Sequence, residues 1–95
     1  MNRVQLSAAA WRSEQDAHRA LADALHFPGY YGHNLDALHD CLTDLADTQL
    51  VIEDCALAAD RIEKWGGFLA VFFDAAMEKP RLSIRLLAGN GDYGK

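Results

Sequence analysis

The chain has 95 residues, 51% of them apolar, and 14 Asp and Glu against 9 Lys and Arg give a formal charge of −5. That length suits one small domain with a modest core, and the acidic balance argues against nucleic-acid binding, which rests on a basic surface, while suiting a partner that is itself basic. The N-terminal MNRVQLSAAAWRSEQD lacks the apolar stretch of about 7–15 residues that a signal peptide needs, and no window approaches the ~18 apolar residues of a membrane span, so a cytoplasmic protein with no membrane partner is expected.

Arg3–Ser7 alternates, with Val4 and Leu6 on one side, and predicts a first strand. Ser13 followed by Asp16 resembles a capping box with the shorter acid. The helix it opens runs to about Leu25, with Ala17, Leu21, Ala24 and Leu25 as its apolar stripe and His18, Arg19 and Asp23 facing out. Pro28, Gly29 and Gly32 then make HFPGYYGH a loop. Of its two tyrosines, Tyr30 and Tyr31, one is expected to close the core and the other to stand out as a rigid contact group.

Asn34 can cap the next helix, Leu35 to Leu45. Placed at steps of about 100°, Leu35, Leu38, Cys41, Leu42 and Leu45 share one arc, while Asp36, Asp40, Thr43 and Asp44 share the other with His39 at its margin. Gln49–Glu53 is a run of β-formers and predicts a buried strand. Leu57–Lys64 has helical character, and Gly66 and Gly67 either interrupt it or begin the next helix. Phe68–Glu78 is a strongly apolar helix with Leu69, Phe72, Phe73 and Ala76 at core spacing, ended by Pro80. Leu82–Leu87 predicts a third strand, and the glycine-rich 88–95 a flexible tail. Strands separated by helices require crossovers, so the order implies an α/β domain over 1–87 with a parallel sheet. Trp11 and Trp65 read as core or half-buried residues, and Cys41 and Cys55, with no CxxC pairing, as free thiols in a reducing compartment.

The row Asp36, Asp40, Asp44 is the unusual feature. Carboxylates four apart on a helix repel by roughly 0.2–0.5 kcal/mol per pair, and acids near the C-terminal end oppose the helix dipole. No Lys or Arg occurs from Leu21 to Asp60 to offset them. A solvated face is the plain explanation; a surface built for a cation-rich groove is the functional one. A metal site would draw on His33, Asp36, His39 and Asp40, but no His–Asp pair there has i, i+4 spacing and no third distant ligand follows a known pattern. Acid–base catalysis needs carboxylates in a cleft, which a regular exposed helix does not supply. Cys41 lies on the core side, about 160° from His39, which favours a packed thiol over a nucleophile. No phosphate-cradling loop or cofactor motif is present in the sequence.

FPGYYGHNLDALHDCLTDL, residues 27–45, closely resembles the signature of the barstar family, small inhibitors of secreted bacterial ribonucleases. Pro28, Tyr30, Tyr31, Gly32, Asn34, Leu35, Asp36, Ala37, Leu38, Asp40, Cys41, Leu42 and Thr43 agree with it; LVIE and VFFDAA elsewhere fit its pattern. The resemblance implies a three-stranded parallel sheet packed with about four helices, and no enzymatic activity or cofactor. It implies that the second helix and the preceding loop enter a ribonuclease active site. Asp40 would be the central anchor where an RNA phosphate binds, and Asp36 a second interfacial acid. Tyr30 would be the aromatic contact, Thr43 a polar one, and Gly32, Asn34 and Leu35 loop and backbone contacts. Asp74 falls where barstar has a Glu that makes a peripheral salt bridge. His39 and Leu45 stand where barstar has tryptophans, Gly29 and His33 where it has acids, and Asp44 where it has Gly, so His39 and Asp44 are expected to bear on which partner binds. The expectation is a cytoplasmic immunity protein binding a basic extracellular or toxin ribonuclease one-to-one. A barstar-fold module with a non-nuclease partner, or a small metal-dependent hydrolase, are the alternatives.

Overall fold

The computed structural model describes residues 2–89. Three strands, β1 (Asn2–Ser7), β2 (Thr48–Glu53) and β3 (Leu82–Leu86), lie in the order β1-β2-β3, all parallel. Helices α1 (Glu14–Leu25) and α2 (Leu35–Thr43), with a short 3-10 turn Ala8–Ala10, connect the first two strands; α3 (Cys55–Arg61) and α4 (Trp65–Glu78) connect the last two. This is the expected α/β architecture.

Register explains which face carries the core. Val4 pairs with Leu50 and Leu50 with Ile84; Leu6 pairs with Ile52 and Ile52 with Leu86. These apolar side chains share one face, because side chains alternate along a strand. Thr48, Leu50 and Ile52 of the central strand are fully buried. The other face is polar and more open, with Gln5 donating across it to Glu53 at 2.9 Å.

α1 begins at Ser13, whose hydroxyl accepts from Asp16 N, while Asp16 Oδ2 accepts from Arg12 N. The reciprocal cap is therefore real but reaches one residue further back than a standard box. His26, in the left-handed region at φ 58°, ends the helix, and Phe27 N bonds back to Ala22 O, a Schellman closure. Ala17, Leu21 and Leu25 are buried as expected. His18 is not on the outer face as expected: it is 2% exposed, because the Tyr31 hydroxyl supplies a hydrogen-bond partner at 2.6 Å.

α4 corrects a second expectation. Its buried stripe is Trp65, Phe68, Phe72 and Ala75, one step round from the expected one, and it starts three residues earlier. Leu69 and Phe73 are exposed. The helix is apolar on nearly every side, so apolarity alone does not choose the phase; stacking does. Trp65 lies 5.5 Å from Phe68 and 6.2 Å from Trp11, and Phe68 lies 4.9 Å from His18, separations typical of favourable aromatic pairs. Gly66 and Gly67 sit inside its first turn. A Cβ on Gly67 would come within 2.6 Å of Leu35 Cδ1, so the glycine lets α2 and α4 approach closely.

After β3 the chain does not leave the domain at once. The carbonyls of Leu87, Ala88 and Gly89 accept from Cys55 N, Ala56 N and Asp54 N at 2.9, 3.0 and 2.7 Å. They satisfy donors at the start of α3 that have no partner within their own helix. The rest of the expected tail, from residue 90, lies outside the described residues.

Candidate functional site: the second helix and the loop before it

The loop between α1 and α2 is fixed from inside. Tyr31 N bonds to Pro28 O at 3.0 Å and closes a turn over Pro28–Tyr31. That turn sends consecutive tyrosines opposite ways: Tyr31 is 7% exposed and Tyr30 87%. The Tyr31 ring packs 5.0 Å from Phe27, 5.2 Å from His33 and 5.7 Å from His18. His33, at φ 51°, adopts a left-handed conformation and donates from Nδ1 to Gln15 Oε1 at 2.7 Å. Asn34 then caps α2 through Ala37 N at 2.8 Å, and its amide donates to Gly32 O at 3.3 Å. Burial holds the Tyr31 phenol well above its ordinary pKa, and burial followed by the neighbouring His33 holds His18 below the usual imidazole value. Both are therefore neutral near pH 7, as a packed hydrogen-bonded pair should be.

On α2, Leu38 and Leu42 are fully buried, and Leu35 and Cys41 half-buried. The Cys41 thiol is pushed up by burial, then by Asp44 and Asp40, which leaves it a poor nucleophile. Asp36 and Asp40 are exposed, and the Asp40 side chain is 84% accessible. The helix ends earlier than expected. Asp44 is its C-terminal cap, and Leu45 N closes the turn on Leu42 O at 3.2 Å. Thr43 is half-buried, and its hydroxyl donates to the carbonyls of His39 and Asp40, both at 3.1 Å.

The acids divide into two places. Tyr30, Asp40 and Asp44 line one cleft of about 390 Å³ between the loop and α2, together with Phe27, Pro28 and Cys41. Asp36 lies in a second cleft of about 370 Å³ with Glu14, His18, His33, Asn34 and Lys64. Leu35, beside Asp36, is anchored against Gly67 of α4. Asp74 is exposed on α4 and lines neither cleft.

Sequence reasoning missed one charged partner. Glu78, one turn beyond Asp74 on α4, accepts a hydrogen bond from His39 Nε2, and His39 Nδ1 lies 3.7 Å from Asp40 Oδ1. The Glu78 hydrogen bond, aided by Asp40 and opposed by partial burial, holds His39 above the usual imidazole pKa. The i, i+4 spacing of Asp74 and Glu78 was a visible signal; that Glu78 faces α2 was not. Among the described residues, no group of three or more His, Cys, Asp and Glu comes together to hold a metal ion. No helix of the described chain is long and apolar enough to cross a membrane.

A small α/β domain that offers a rigid aromatic loop and exposed acids has the build of a binding protein. Residues 1–88 match the family model described as barstar (barnase inhibitor), and the chain belongs to the barstar family. It is also similar to a protein of Bacillus subtilis (strain 168) named "Putative ribonuclease inhibitor YrdF", with 35% identity over 78 residues, 82% of this chain and 80% of that one.

Proposed function

We propose that this protein is an intracellular inhibitor of a basic microbial ribonuclease, an immunity protein that occludes the enzyme's active site in a one-to-one complex and performs no chemistry itself. Family membership and the ribonuclease inhibitor named among its relatives support the inhibitor role. The observation that carries the mechanism is the setting of Asp40: an accessible carboxylate beside Tyr30, with no Lys or Arg ion-pair partner among the described residues.

A carboxylate can take the place of an RNA phosphate because both accept paired hydrogen bonds from arginine. Asp40 is the anchor, Asp36 and Asp44 extend the acidic face to either side, and Tyr30 supplies the aromatic contact. Gly32, Asn34 and Leu35 present the loop and the helix start, Thr43 contributes along the helix, and Asp74 makes an outlying charge contact. Because the loop is already held by Tyr31, His33 and Asn34, little ordering remains to oppose association.

The test is stoichiometric titration of basic bacterial ribonucleases, secreted or toxin-borne, with the purified protein while RNA cleavage is followed. Loss of activity at one equivalent supports the reading, and loss of that inhibition in Asp40→Ala supports the anchor. A protein that co-purifies with a non-nuclease partner and inhibits no ribonuclease overturns it.

A further inference from the structure

His39 is a titratable base placed among acids. Its Nε2 donates to Glu78 of α4, and its Nδ1 lies 3.7 Å from the Asp40 carboxylate of its own helix. The side chain is about one-third exposed, so it is open to a docking partner. The titratable groups that act on it are Asp40 from α2 and Glu78 from α4, both acids. Among the described residues its ion-pair partners are Asp40 and Glu78 alone. When protonated, the ring does what the missing Lys and Arg of this segment would do: it offsets the repulsion between Asp40 of α2 and Glu78 of α4.

We infer that His39 is a titrating residue of the docking face whose proton is displaced when a basic ribonuclease docks on Asp40, so that binding releases a proton and strengthens as pH rises. The inference rests on the inhibitor reading above. The physical reason is competition. A partner arginine directed at Asp40 and the His39 imidazolium are like charges seeking the same carboxylate. Burial of the pair beneath a partner disfavours the protonated ring further. The proton leaves from Nδ1 to solvent and the neutral ring keeps its Nε2–H on Glu78, so α2 and α4 stay joined while the charge is lost. The geometry agrees with the direction of the titration: His39 holds its proton above the usual imidazole value in the free protein, with Glu78 the main cause.

Two measurements test this. In the free protein, an NMR titration of the histidine ring protons should place His39 above ordinary imidazole, and Glu78→Gln should lower it. A His39 that titrates at or below the ordinary value overturns the inference whatever the partner. In the complex, calorimetry with an inhibited ribonuclease in buffers of different ionisation enthalpy should show proton release. From pH 5.5 to 8 the affinity of the wild type should rise relative to that of His39→Gln, by at most about tenfold per pH unit, the limit for one linked proton. Comparison with His39→Gln removes the ribonuclease's own titrating groups. Equal pH profiles for the two proteins overturn the inference while leaving the inhibitor reading intact. Failure of every ribonuclease to bind overturns the inhibitor reading, and the docking consequence with it.

Discussion

Tyr31 and His18, thirteen positions apart, are hydrogen-bonded at 2.6 Å in the interior, and this contact, with that of His33 to Gln15, ties the α1–α2 loop to the body of the domain. Removing the hydroxyl leaves a buried imidazole nitrogen without a partner, which costs about 1–3 kcal/mol. Tyr31→Phe is expected to lower stability by that amount in urea unfolding. It should also slow association, because the loop loses its internal tie.

The two perturbed histidines pull stability in opposite directions with pH. His18 is held below the usual imidazole value by burial, so its contribution is present above that value and lost as pH falls. His39 is held above it by Glu78, so its contribution is present at low pH and lost as pH rises through its folded value. Unfolding across pH 5–8 should therefore be flatter for the wild type than for either single variant. Glu78→Gln should leave the acid-sensitive slope of His18, and His18→Gln the opposite slope of His39. Identical slopes in both variants would contradict the assignment.

Asp40→Ala separates binding from folding. The side chain is exposed, so stability should change by no more than about 0.5 kcal/mol. Binding should weaken by about 2–5 kcal/mol or more, the general cost of breaking a buried charge pair at an interface, a range taken over from measured complexes that include barnase–barstar itself. Association should also slow as salt is raised, which stopped-flow mixing would read.

The two adjacent glycines of α4 should behave differently on substitution. Nothing lies within 4 Å of a Cβ on Gly66, so Gly66→Ala should stabilise by up to about 1 kcal/mol through helix propensity. At Gly67 the same gain is offset, because Leu35 Cδ1 at 2.6 Å must move. Gly67→Ala should be the less stable of the two by thermal unfolding and, since Leu35 opens α2, the weaker inhibitor.

Asn34→Ala removes the cap on Ala37 N and the link to Gly32 O together. Loss of a helix cap costs about 0.5–2 kcal/mol, and inhibition should weaken beyond what stability explains.

Local chemistry made most of this readable in the sequence. Asn34 as cap, the inward Leu38 and Leu42 and the break at Pro28–Gly32 each follow from a rule that acts within a few residues, and the parallel sheet follows from the order of strands and helices along the chain. What was not readable depended on partners distant in the chain. His18 looked polar and therefore outward, and only Tyr31 makes its burial affordable. The phase of α4 was hidden because a helix apolar on all sides gives no periodic signal; Trp11 and His18 choose the side that packs. Glu78 could be seen as an acid, but its pairing with His39 exists only once α4 lies against α2. The acid row itself looked continuous, whereas Asp36 and Asp40 open on different clefts.

The hydrogen bonds from the start of α3 to Leu87, Ala88 and Gly89 bear on how the protein comes into being. A chain emerging from the ribosome as far as α4 already carries Tyr30 and every acid of α2. It still lacks the third strand, the floor beneath α4 and the acceptors for Asp54, Cys55 and Ala56. Residues 82–89, made after α4, are thus the ones that close this part of the fold, and a fragment that stops at Glu78 would display the proposed binding face on an unfinished support.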